Sequence, residues 1–177
     1  MIKKILFCGS VILAFLGAAH VTPLRAQEPL DGRKVTFHDD LLDNLAGDWK
    51  LTRTIKGQST VNSVRGQWVL NHQFLLIHMK DVSDPANYEA MVYIGYDNTS
   101  QRYVAHWIDV FGGRFSETLG YGKRSGNSIK FVFEYPDGPF NNTFTWYPET
   151  KTWISLMEQK EPTGKWKVFA EDTLRRL

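Results

Sequence analysis

The chain holds one cysteine, Cys8, within its first ten residues. No disulfide can form within a single chain, and no cysteine-rich metal site is available. Histidine is also scarce. After His20 come only His38, His72, His78 and His106, with no His-x-His and no His-Glu-x-x-His, so no metal is expected. No glycine-rich phosphate loop follows a strand and opens a helix, which excludes the nucleotide-binding α/β folds. No Gly-x-Ser-x-Gly elbow is present either.

Residues 1–26 have the form of a secretory signal peptide. Lys3 and Lys4 begin it, an apolar run follows over 5–19, and the small Ala26 precedes Gln27, with cleavage after Ala19 as a second site. The run is shorter than the roughly 20 apolar residues a spanning helix needs, so no integral membrane segment is expected after cleavage. Export to the periplasm or the extracellular space is the implied localisation. Cys8 leaves with the leader, and the mature protein must stand on its core.

Cleavage also changes the charge. The full chain has 21 Lys+Arg and 19 Asp+Glu. The leader removes Lys3, Lys4 and Arg25 and no acidic residue, leaving 18 against 19, a mature net charge of about −1. A near-neutral chain carries no electrostatic footprint for nucleic acid.

All six Trp and all seven Tyr lie beyond the leader, which argues for a well-filled core. Residues 27–37 are polar, with Pro29 and Gly32, and form a linker. Residues 38–45 are a short helix candidate: Leu41, Leu42 and Leu45 make one apolar stripe, and Asp39 and Asp40 favour the N-terminus. Such a helix suits a plug across a barrel mouth. From Gly47 onward about ten short strands follow, at 48–55, 61–70, 74–80, 88–96, 103–111, 114–121, 128–135, 140–147, 152–160 and 165–175, each closed by a turn signal. Every connection is short enough for neighbours to pair in order. The expectation is one all-β domain over 38–177, an antiparallel up-and-down barrel, with a two-sheet sandwich as the alternative.

The segment Gly47-Asp48-Trp49 resembles the Gly-x-Trp signature that opens the first strand of lipocalin-like (calycin) barrels, where the Trp packs on the barrel floor. Further pieces resemble a bacterial exported family of unknown function with this barrel. These are Trp68-Val69-Leu70 leading to Phe74-Leu75, then Gly95-Tyr96-Asp97-Asn98, then Tyr103, Trp107-Ile108-Asp109 and Gly120. The likeness spans roughly residues 45–175 and implies a fold but no activity. The related nitrobindin-like barrels hold haem through a histidine near the C-terminal end. This chain has none after His106 and lacks that branch's longer glycine pattern, which speaks against haem. No cofactor is expected.

Gly112-Gly113 reads as a two-residue hairpin turn. Phe111 then faces Arg114, and the partner numbers sum to 225. One face would hold Tyr103, Ala105, Trp107, Asp109, Ser116 and Gly120. The other would hold Val104, His106, Ile108, Glu117, Leu119 and Tyr121. Hydrophobicity favours the second face as interior, and the resemblance favours the first, so the choice stays open.

Three functions follow. The first is binding of a small, partly apolar ligand inside the barrel, with Trp107, Asp109, Tyr103, Trp68, Arg65 and His78 as candidate contacts. The second is an enzyme using His106 and Glu117 for proton transfer, which requires both on the interior face within hydrogen-bond reach. The third is a solid-core module whose loops bind a partner.

Overall fold

The computed structural model describes residues 37–177. The expected leader and nearly all of the linker lie outside them. A short helix, α1 (Asp40–Asp43), leads into β1 (Gly47–Ile55), β2 (Gln58–Val69), β3 (Phe74–Asp81), β4 (Glu89–Asp97) and β5 (Arg102–Asp109). A one-turn helix, α2 (Gly113–Ser116), precedes β6 (Leu119–Ser125), β7 (Ser128–Tyr135), β8 (Gly138–Tyr147), β9 (Thr152–Lys160) and β10 (Trp166–Arg176). Each strand pairs antiparallel with its sequence neighbours, and β1 pairs with β10 to close a ten-strand barrel. The meander expectation therefore holds, and the sandwich does not.

The strands form because their side chains alternate. On β1, Trp49, Leu51 and Arg53 are buried while Lys50 and Thr54 are exposed. On β7, Ile129, Phe131 and Phe133 point in and Lys130 and Glu134 point out. Turn chemistry sets the register where it is tight: Lys56 (φ 49) and Gly57 (φ 79) form the two-residue link between β1 and β2.

The Gly112-Gly113 turn differs from expectation. β5 stops at Asp109, and β6 begins at Leu119 rather than at Arg114. The Asp109 carboxylate accepts the Phe111 N–H at 3.0 Å, and the Gly112 N–H reaches the Asp109 carbonyl at 3.1 Å. These bonds turn the chain out of the ladder, and α2 occupies the connection. The register survives: Tyr103 pairs with Gly122, Ala105 with Gly120 and His106 with Leu119.

The face carrying Tyr103, Ala105, Trp107, Asp109 and Gly120 looks inward. Tyr103, Ala105 and Gly120 are buried, whereas Ile108, Leu119 and Tyr121 are exposed. Hydrophobicity points the wrong way because of the glycine. A Cβ on Gly120 would sit 2.5 Å from the Phe133 ring. The inner face of β6 leaves its space to the β7 aromatics, so its own residues look unhydrophobic.

One end of the barrel is plugged. Asp39 caps α1, accepting from the Leu41 and Leu42 N–H groups, both at 2.9 Å. Leu41, Leu42 and Leu45 are buried, each contributing roughly 1.5–3 kcal/mol. Trp49 closes the floor beneath them and donates from Nε1 to the Leu45 carbonyl at 2.9 Å. Gly66 makes this approach possible, because a Cβ there would lie 2.1 Å from the Leu45 oxygen.

Candidate functional site

At the opposite end the one-turn α2 buries none of its residues, unlike α1, and the inward side chains change character. Just inside that end, Arg53 on β1 and Asp172 on β10 form a bidentate pair, Nε to Oδ1 and Nη2 to Oδ2, both at 2.7 Å. Both residues are buried, at 7% and 1% exposure. Burial alone would lower the Arg53 guanidinium, but the Asp172 hydrogen bonds and charge, with Tyr88 adding to them, hold it above its ordinary range. Arg53 also reaches the Met79 sulfur at 3.7 Å and lies 5.3 Å from the Tyr88 ring centre.

Tyr88 enters from the connection between β3 and β4. Its hydroxyl accepts from Trp107 Nε1 at 3.2 Å and donates to Asp109 Oδ2 at 3.5 Å. The sequence of donors aims the Tyr88 proton at the carboxylate. Burial pushes the Tyr88 phenol up, outweighing the Arg53 cation. Tyr135, at the end of β7, is raised by burial and then by the charges of Asp109 and Tyr88. Around these groups stand more rings. Phe111 lies 6.0 Å from Tyr88 between centroids, Tyr135 packs edge-on against Phe140, and Phe169 meets Phe140 at 5.5 Å. Phe169 sits at an irregularity in the β9–β10 register between Val168 and Ala170.

Tyr88, Trp107, Asp109, Tyr135 and Phe140 are only partly buried, so this end is open to solvent at their level. Deeper in, Ser155 donates to Asn142 Oδ1 at 2.7 Å. Asn62, 2% exposed on the inner face of β2, has an amide oxygen with no hydrogen-bond partner among the described residues. No group of three or more His, Cys, Asp or Glu side chains among the described residues is placed to hold a metal.

Two concavities lie elsewhere. One, of about 650 Å³, is beside the plug, against Asp39, Tyr96, Tyr103, Lys123 and Arg124. There the buried Tyr103 hydroxyl donates to Asp39, and Arg124 Nη1 reaches Asp39 at 3.4 Å and Asp40 at 2.5 Å. The other, of about 340 Å³, is on the outer wall between Phe74, Tyr93, Val104, His106 and Leu119.

The residues singled out from sequence do not converge on one place. Trp107 and Asp109 meet at the open end. Tyr103 and Trp68 belong to the plugged end, where Trp68 Nε1 donates to Asp43 at 2.8 Å. Arg65 is on the outside, 3.9 Å from Asp48 and well exposed. His78 is also on the outer wall and donates from Nε2 to Glu89 at 2.6 Å. His106 and Glu117 do not share the interior: His106 points outward and donates to the Ser116 carbonyl at 2.6 Å, and Glu117 is exposed just after α2. The loop that replaced the tight hairpin took Glu117 out of the ladder.

Arg53, Tyr88, Tyr135 and Asp172 were missed. A signal existed for two of them. Arg53 falls in phase with Trp49 and Leu51, and Asp172 with Ala170 and Leu174, so each charge sits on an otherwise apolar face.

Fold and site together define a closed ten-strand antiparallel barrel, plugged at one end and lined at the other by aromatic rings around a carboxylate. Residues 36–176 match the family described as protein of unknown function (DUF1579), and the chain belongs to that family. No curated protein matches the chain.

Proposed function

We propose that this barrel binds a small, partly apolar ligand at its open end. The observation that carries the proposal is the inward cluster of Tyr88, Trp107, Asp109 and Tyr135, left partly exposed while the plugged end is packed. Ligand sites are typically apolar concavities with a few placed polar groups, and this end has that composition. The interior of the opposite half is filled by Trp49, Trp153, Phe131 and the α1 leucines, which leaves the mouth as the open part of the barrel's interior. A binding role fits better than catalysis by His106 and Glu117, since neither side chain faces the cluster.

Two further parts of the proposal rest on sequence. The Gly47-x-Trp49 opening and the floor position of Trp49 support kinship with the calycin barrels. The leader over residues 1–26 supports export, and the mature domain would then begin near residue 38 after a short linker. Among the described residues no helix is long and apolar enough to cross a membrane.

Native mass spectrometry of protein gently purified from its own host tests the binding role. The expected result is a co-purified small molecule that is lost in Trp107→Ala while the barrel stays folded by circular dichroism. A folded wild-type barrel free of any adduct would overturn it. The mature N-terminus, read by mass spectrometry from the exported fraction, tests the leader. An intact Met1 there would refute cleavage.

A further inference from the structure

The inward-facing charges described at the open end do not cancel. Arg53 is matched by Asp172 through two hydrogen bonds, so that pair presents no net charge to the mouth. Asp109 remains. It accepts from one backbone N–H and, at 3.5 Å, from one phenol, and no cation lies within 4 Å of it among the described residues. A carboxylate has about four acceptor positions, so Asp109 has capacity to spare. Its nearest donors are already engaged: Trp107 Nε1 is bonded to Tyr88, and the Tyr88 hydroxyl points at Asp109 itself. Deeper on the inner face, Asn62 Oδ1 is a second acceptor with no partner among the described residues. The Tyr135 hydroxyl can both donate and accept.

The rings add to this. Tyr88 and Trp107 are bonded to each other beside Asp109, and Tyr135 is close enough for its phenol to feel the Asp109 charge. Aromatic faces carry negative potential and attract cations, most strongly where water is partly excluded. Tyr88 already shows this property toward Arg53. A carboxylate set among such faces repels an anion; a neutral hydroxyl gains one hydrogen bond from it, whereas a cation gains its charge and the ring faces as well.

We infer that the ligand of the open end carries a cationic nitrogen, an ammonium or a related group, which Asp109 neutralises among Tyr88, Trp107 and Tyr135. Its apolar body lies against Phe111, Phe140 and Phe169 at the rim. The inference rests on the binding role proposed above, and its test separates the two.

Three probes with one octyl tail are titrated calorimetrically into the folded barrel at neutral pH: octylammonium, octanoate and 1-octanol. Octylammonium is expected to bind at least about tenfold more tightly than the other two, the scale of one partly buried charge pair. Asp109→Asn keeps the Phe111 hydrogen bond within reach and removes only the charge. It is expected to abolish the preference for octylammonium while leaving octanol unchanged. Equal binding of all three probes, tighter binding of octanoate, or an Asp109→Asn barrel that still prefers the cation would overturn the cationic ligand and leave the binding role standing. Failure of all three to bind a folded barrel would overturn both.

Discussion

Arg53 and Asp172 are 119 positions apart in the chain and directly opposite each other across the β1–β10 seam that closes the barrel. The pair is buried, so its worth depends on how it is broken. Asp172→Asn leaves the guanidinium charge without a counter-charge and is expected to cost about 3–5 kcal/mol. Replacing both partners, as in Arg53→Met with Asp172→Leu, is expected to recover most of that loss. Urea unfolding of the three proteins reads the difference. A double variant no more stable than Asp172→Asn would show that the pair contributes through more than its own charges.

The second contact of consequence lies at the other end, where the Leu45 carbonyl passes over Gly66. A methyl group on Gly66 would meet that oxygen at 2.1 Å. Gly66→Ala must therefore lift the segment after α1, and overpacking of this kind costs about 1–3 kcal/mol. Because Trp49 donates to the same carbonyl, its indole environment should change with it. The expected outcome is a lower melting temperature together with a shifted tryptophan emission spectrum. An unshifted spectrum with full stability would mean that the plug is not held as described.

Much of the fold was legible because strand formation here is local. Alternation and turn residues on each segment carry it, and the helix declared itself through Asp39 and three leucines. The β5–β6 register was legible as well, though the loop producing it was not. A side-chain bond from Asp109 to the Phe111 backbone competes with a tight turn, and residue preferences do not rank the two. The inner face was hidden by Gly120, whose role is visible only once Phe133 is known to press on it. The site was half legible. Trp107 and Asp109 share a strand, two positions apart, but Tyr88, Tyr135, Arg53 and Asp172 come from four other segments. Only closure of the barrel brings those together.

Asp39 serves two structures at once. Its Oδ1 caps α1, and its other oxygen accepts from the buried Tyr103 hydroxyl on β5. Removing the cap costs about 0.5–2 kcal/mol, and leaving a buried hydroxyl without a partner costs about 1–3 kcal/mol. Asp39→Ala should therefore destabilise more in the wild-type background than in Tyr103→Phe, where no hydroxyl is left stranded. A double-mutant cycle by chemical denaturation measures the coupling. Strictly additive losses would show that helix and barrel wall are not joined through this carboxylate.

Three tyrosines make the barrel sensitive to alkali. Tyr88, Tyr103 and Tyr135 are all raised above the ordinary 10.0, each chiefly by burial, and Tyr103 further by the Asp39 charge. A phenol whose folded value is raised favours the folded state in its neutral form. That contribution is complete below about pH 10 and is lost as the pH climbs through the higher folded values. Absorbance at 295 nm should rise in an early phase and a late one, with the late phase coinciding with loss of the barrel's circular dichroism. The triple substitution of Tyr88, Tyr103 and Tyr135 by Phe should remove the late phase and move unfolding to higher pH. If every phenol ionised together near pH 10 with the barrel intact, the burial of Tyr103 and the partial burial of Tyr88 and Tyr135 would be refuted.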